Sequence, residues 1–114
     1  MPVLKIQTNK LFNSDNQKPL LEKASRIVAQ ELGKPEKYVM GAMESNPDML
    51  FSGNDEPLAY LELKSIGLPE QSTGKLSQAL CSLIHQELDI TMDRIYIEFS
   101  DAKRTMWGWN GATF

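Results

Sequence analysis

The sequence predicts an α+β domain, a two-layer α/β sandwich in which two helices cover one face of a four-stranded sheet. Three observations carry that prediction. Hydrophobic alternation of period two and apolar stripes of helical period follow one another as strand, helix, strand, then strand, helix, strand. The two halves also echo each other: Pro2-Val3 recurs as Pro57-Leu58 at a shift of 55, and Gln30-Glu31-Leu32 as Gln86-Glu87-Leu88 at a shift of 56. Finally, 114 residues with 41% hydrophobic and 24% charged side chains suit one globular domain spanning 1–114. Each unit, approximately 2–45 and 57–100, reads as βαβ, with parallel strands and a right-handed crossover.

Taken in order, Leu4 and Ile6 alternate with Lys5 and Gln7 across Pro2 to Thr8, which marks a strand with unlike faces. The polar run Asn13-Ser14-Asp15-Asn16 is a turn, and Pro19 suits a first helical position. Leu20, Ala24, Ile27 and Val28 form the apolar stripe of that helix, and Gly33 ends it in a left-handed cap. Tyr38 to Met43 reads as a second strand, its methionines Met40 and Met43 taken as packing groups. Pro57 to Lys64 is a third strand, and Leu76, Ala79, Leu80, Leu83, Ile84 and Leu88 stripe a second helix. Arg94 to Phe99 is the fourth strand, and the tail Trp107 to Gly111 reads as a short edge piece. With Leu4, Leu61, Ile95 and Ile97 under the helices, the opposite sheet face carries Lys5, Gln7, Tyr60, Glu62, Lys64, Tyr96 and Glu98. That face is either wet or closed by other copies of the chain.

Composition excludes several functions. The formal charge is −3, with no Lys/Arg block able to neutralise a run of phosphates, so nucleic acid is not an expected partner. No apolar stretch reaches the roughly 20 residues that span a bilayer, and the first residues lack the pattern of a signal peptide. One cysteine, Cys81, and one histidine, His85, leave no disulfide within a chain and no Cys/His zinc site, so no metal is expected. His85 falls opposite the apolar stripe of its helix and reads as solvent-facing rather than as a triad member. Cys81 lies at the stripe's edge and reads as half-buried.

Pro2 after Met1, Gly33-Lys34-Pro35, Ser65-Ile66-Gly67, Asp93-Arg94-Ile95-Tyr96-Ile97, and Gly108-Trp109-Asn110 with Thr113-Phe114 resemble the macrophage migration inhibitory factor (MIF) family of the tautomerase superfamily. The resemblance covers nearly the whole chain. It implies a homotrimer whose sheets surround a central channel, with an active site at each subunit interface. It implies keto–enol tautomerase activity on phenylpyruvate-like or dopachrome-like compounds, and no metal or organic cofactor.

Such chemistry needs a base of moderate strength. An α-amino group titrates at about 7.7–8.0, and burial or a neighbouring cation lowers that further. By resemblance, Pro2 is the base once Met1 is removed, because with Met1 attached its nitrogen is an amide. Lys34 lies beside it and binds the substrate carboxylate, and Ile66 offers its backbone. Tyr38, Tyr96, Trp109 and Phe114 form an aromatic wall, Tyr96 coming from the neighbouring subunit.

Two positions depart from the family's best-known members. Glu98 replaces an asparagine, which is expected to reduce activity on a carboxylate substrate or alter preference. Trp107 stands where a smaller aliphatic side chain is common and narrows the pocket mouth. The third strand reads Leu58-Ala59-Tyr60-Leu61, without the C-x-x-C credited with thiol–disulfide chemistry in some relatives.

Without the resemblance, Pro2 reads as a strand-starting proline, Lys34 as a helix-terminal lysine, and Tyr96 and Trp109 as core or edge aromatics. Two rival functions stand beside the enzyme. One is a cytokine-like partner-binding protein with a vestigial pocket and a receptor that the sequence does not identify. The other is a ferredoxin-like regulator, which shares the element order but gives Pro2 and Lys34 no role. The expected location is cytoplasmic, or outside the cell by export without a signal peptide.

Overall fold

In the first strand, β1 (Val3–Thr8), Leu4 and Ile6 are buried while Lys5 between them is exposed, so the alternation in the sequence separates two faces of a sheet. The computed structural model describes residues 1–114, the side chain of Ser14 excepted. After β1 come α1 (Ser14–Leu32), β2 (Met40–Ser45), β3 (Ala59–Ile66), α2 (Thr73–Leu88) and β4 (Ile95–Ala102). A hairpin of β5 (Gly108–Trp109) and β6 (Ala112–Thr113) closes the chain.

The four long strands form one sheet in the order β2-β1-β3-β4. β1 and β2 are parallel, as are β3 and β4, while β1 and β3 pair antiparallel at the centre. Parallel neighbours need a long crossover, which α1 and α2 provide. The central register sets Leu4 opposite Leu63 and Ile6 opposite Leu61. These four pack in one core with Leu20, Ala24 and Val28 of α1 and Leu76, Leu80 and Ile84 of α2. Burying each leucine or isoleucine is worth about 1.5–3 kcal/mol, and that gain holds both helices on one face. On the other face Lys5, Lys64, Tyr96 and Glu98 are exposed, and Gln7, Tyr60 and Glu62 are partly covered. The division of faces expected from the sequence is the one found.

Buried polar groups are paired. Thr8 Oγ1 donates to the Leu58 carbonyl at 2.7 Å and accepts from the Lys10 amide at 3.2 Å. His85 is exposed as expected, and its Nδ1 lies 2.9 Å from the Ile90 carbonyl just beyond α2.

Four local expectations are corrected. Helix α1 starts before Pro19, because Asn13 caps it by accepting from the Asn16 amide at 3.1 Å; Pro19 sits inside, exposed, where the helix forgoes one amide donor. Tyr38 is not in a strand. The extended Pro35 starts a 3₁₀ turn over Glu36–Tyr38, with the Tyr38 amide bonded to the Pro35 carbonyl at 3.1 Å, and β2 begins only at Met40. The tail pairs with itself as β5 and β6 instead of extending the main sheet. Cys81 is buried rather than half-buried, since the apolar stripe of α2 widens to include it.

Gly33 ends α1 as the sequence indicates, at φ 62°, and the Lys34 amide reaches back to the Ala29 carbonyl at 2.9 Å. No atom lies within 4 Å of a Cβ built there. Gly33→Ala is therefore expected to cost about 1–2 kcal/mol from backbone conformation alone. Denaturant unfolding checks it, and an unchanged midpoint would contradict the assigned role.

Candidate active site

Pro2 directly precedes β1 and is almost wholly buried, and its carbonyl accepts from the Met40 amide at 3.0 Å. That bond is the first rung of the β1–β2 pairing, so the chain's leading end is fixed by the sheet itself. Beside it opens a cavity of about 210 Å³, lined by Met1, Pro2, Tyr38, Trp107, Trp109 and Phe114, with Val3, Lys37, Val39, Met40 and Gly108 around them.

Aromatic packing shapes this cavity. Trp109 and Phe114 stack with centroids 5.3 Å apart, and Tyr38 meets them edge-on at 5.7 Å and 6.5 Å. Each such pair contributes about 0.5–1.5 kcal/mol beyond its buried area. The hairpin makes the stack possible. Asn110 and Gly111 both adopt positive φ, at 53° and 78°, so β6 folds back, and the Phe114 amide donates to the Trp107 carbonyl at 3.2 Å. The 3₁₀ turn that displaces Tyr38 from β2 is what brings its ring against this pair.

Lys34 follows the Gly33 cap, and its Nζ donates to the Ile66 carbonyl at the end of β3, 2.9 Å away. The Met1 amine stands near this ammonium. Its pKa lies below the ordinary α-amine value, chiefly because burial penalises the charged form, and then because Lys34 and Arg104 repel it. Arg104 is a residue that the sequence does not single out, nor does it single out Lys37, Val39 or Met40 for this site. The last two were recoverable from strand pairing with β1; Arg104 carries no signal in the sequence.

One chain does not bring every candidate together. Val3 lies in the row of Lys64 and Ser100, whereas Tyr96 lies in the row of Tyr60 and Gln7. Four residues along a strand span about 13 Å, which sets Tyr96 far from the Pro2 cavity of its own chain; Glu98, with β3 between its strand and β1, is not in that cavity's lining either. Tyr96 packs edge-on against Phe51 at 4.8 Å, under the Arg94 guanidinium 5.2 Å from the same Phe51 ring. Glu98 lies beside Glu62 in register, and the Tyr60 hydroxyl bridges them, 2.9 Å from Glu98 Oε2 and 3.2 Å from Glu62 Oε1.

A larger cleft of about 370 Å³ lies at the far end of β1, lined in part by Lys10, Phe12, Asp15, Glu87 and Asp89. Lys10 there is committed to the Leu88 carbonyl at 2.6 Å. The smaller cavity is the one that Pro2 and the aromatic candidates Tyr38, Trp107, Trp109 and Phe114 line, while Lys34 and Ile66 stand outside its lining. Among the described residues no group of three His, Cys, Asp or Glu side chains is placed to hold a metal ion, and no helix is long and apolar enough to cross a membrane.

Known proteins share this fold. The family profile described as macrophage migration inhibitory factor (MIF) matches residues 1–114. The chain belongs to the MIF family. A MIF homolog from Brugia malayi is 39% identical over 115 residues, covering 100% of this chain and 99% of its own, and the MIF of Meriones unguiculatus is 36% identical over the same coverage. Among solved structures, a MIF homologue from Prochlorococcus marinus superposes with a TM-score of 0.92 at 45% identity, covering 98% of each chain. The Toxoplasma gondii MIF gives 0.94 at 29%, covering 98% of this chain and 99% of its own. The two-helix, four-stranded architecture is thus the tautomerase-superfamily fold, and the chemistry general to that superfamily is isomerisation.

The phenol of Tyr60 is held protonated, its pKa pushed up to about 12, first by its hydrogen bond to Glu98 and then by burial and by Glu62. In a spectroscopic titration, Tyr60 should ionise well above the ordinary phenol value of about 10. Glu98→Gln should bring that late transition down; a late transition that survives the substitution would contradict the assignment.

Proposed function

We propose that this chain is a keto–enol tautomerase acting on small aryl 2-oxo acids of the phenylpyruvate type or on dopachrome-like compounds. The base is the Pro2 nitrogen, freed by removal of Met1. The observation that carries the reading is the seating of Pro2: buried, fixed by β2, next to an aromatic cavity, and joined to a Met1 amine that lies within the field of Lys34.

Tautomerisation takes a proton from the carbon beside a carbonyl and returns one elsewhere. A secondary amine kept neutral near pH 7 by burial and a nearby ammonium suits both steps. Its ring fixes the direction of the lone pair. The causes that depress the Met1 amine act at the same end of the chain and would act on a freed Pro2 nitrogen. Lys34 holds the substrate carboxylate, and its cationic field also stabilises the negative charge that develops on the enolate oxygen. Tyr38, Trp109 and Phe114 receive the flat aryl group, Trp107 narrows the entrance, and the Ile66 backbone lines the polar end.

A homotrimer completes this site. Tyr96 and Glu98 lie on the open sheet face, outside the lining of the Pro2 cavity of their own chain, and a second copy is the route by which they reach one. A cavity of about 210 Å³ is small beside the roughly 300–1,000 Å³ of ordinary ligand pockets, which suits a site that is only part of an interface. Glu98 then sets an anionic wall, tied down by Tyr60, where an amide donor would favour a carboxylate substrate.

Turnover of phenylpyruvate by the processed chain, by Pro2→Gly, and by a sample retaining Met1 tests this mechanism. Loss of a general base typically costs about 10²–10⁴-fold, so Pro2→Gly and the Met1-retaining chain should both fall by at least about 100-fold. Mass spectrometry fixes the processing state. Undiminished turnover in either would remove Pro2 from the mechanism.

A further inference from the structure

A second cation stands beside the Pro2 cavity, outside its lining. Arg104 donates from Nε to the Phe114 carbonyl at 3.3 Å, so its guanidinium is anchored to the residue whose ring stacks on Trp109 in the cavity wall. Among the described residues its terminal Nη groups make no hydrogen bond within the chain, which leaves their donors free. The same side chain is close enough to the N-terminal amine for its charge to act there. It also lines an open cleft of about 550 Å³ with Ile66, Asp101 and Lys103, and Ile66 is the residue that holds Lys34. The one carboxylate in that lining, Asp101, accepts from the Leu68 amide at 3.0 Å. Lys34, fixed on the end of β3, and Arg104, fixed on the tail, thus both act on the N-terminal amine.

We propose that Arg104 is a specificity residue that binds a second acidic group of the substrate, so that the preferred compounds are 2-oxo acids carrying two negative charges. The proposal rests on the reading of Pro2 as the base and of Lys34 as the holder of the first carboxylate. A guanidinium suits this second role, because its planar fork offers two parallel donors to a carboxylate and its charge does not vary with pH. Its anchorage through Nε leaves the Nη edge as the one available to a ligand.

The experiment compares phenylpyruvate with its 4-carboxy derivative in the processed wild type, in Arg104→Ala and in Arg104→Lys, reading kcat and KM separately. The wild type should bind the dianion more tightly, and Arg104→Ala should cut the ratio of the two KM values by about tenfold, the order expected for one charge-assisted hydrogen-bonded contact. Arg104→Lys should restore part of that ratio, which a merely structural role would not do. Equal KM values in the wild type, or a ratio untouched by Arg104→Ala, would overturn the proposal. Pro2→Gly run alongside separates the two readings: turnover lost in Pro2→Gly with an unaltered KM ratio in Arg104→Ala sinks only the second cation, whereas turnover retained in Pro2→Gly sinks the base.

Discussion

The contact on which the site depends is the hydrogen bond from Lys34 Nζ to the Ile66 carbonyl. It ties the turn after α1 to the end of β3 and sets a fixed positive charge beside the chain's leading end. The backbone on either side is prepared for it. Gly33 takes the left-handed conformation that reverses the chain, and the Lys34 amide is spent on Ala29, so the side chain departs from a rigid point. At the other end, β3 is held between β1 and β4, and Ile66 is the last residue of its ladder. A charge positioned by two rigid elements shifts the ionisation of a neighbouring amine in a way that a mobile surface lysine, screened by solvent and salt, does not.

The core supplies the rigidity and the tail supplies the shape. The antiparallel β1–β3 pairing brings the apolar faces of both halves under both helices, which is why the leading residue Pro2 is buried although it lies at a chain end. The hairpin of β5 and β6 adds nothing to that sheet. Its contribution is to fold Trp109, Phe114 and Trp107 against Tyr38, and through Phe114 to hold Arg104. The candidate site is therefore a junction of three segments distant in sequence: the start of β1, the turn after α1, and the tail.

Much of this is legible in the residues. The alternation of Leu4 and Ile6 with Lys5 and Gln7, the stripe from Leu20 to Val28, and Gly33 at its end each follow from local physical rules, and the structure has them. Where structure and sequence part, a local signal is overruled by a neighbour. Tyr38 and Val39 are good strand formers, yet Pro35 starts a 3₁₀ turn that consumes Tyr38. Pro19 looks like a helix start, yet Asn13 caps the helix earlier. The site is harder. Pro2, Lys34 and the aromatic residues stand out only through resemblance to a family, since a proline before a strand and a lysine after a helix are common. Arg104 and the bridging role of Tyr60 do not stand out at all, because each is defined by partners, Phe114 and the Glu62–Glu98 pair, that only the folded chain brings near. Tyr96 and Glu98 lie outside the lining of the Pro2 cavity of their own chain, which strand periodicity alone does not reveal.

The central claim concerns the ionisation of one nitrogen. It is tested most directly by ¹⁵N NMR titration of proline-labelled chain from which Met1 has been removed, following Pro2 in the wild type and in Lys34→Met. The expected result is a Pro2 pKa below that of a solvent-exposed N-terminal proline in a peptide, moving up toward it when Lys34 is replaced. A Pro2 that titrates like the peptide in both proteins would contradict it.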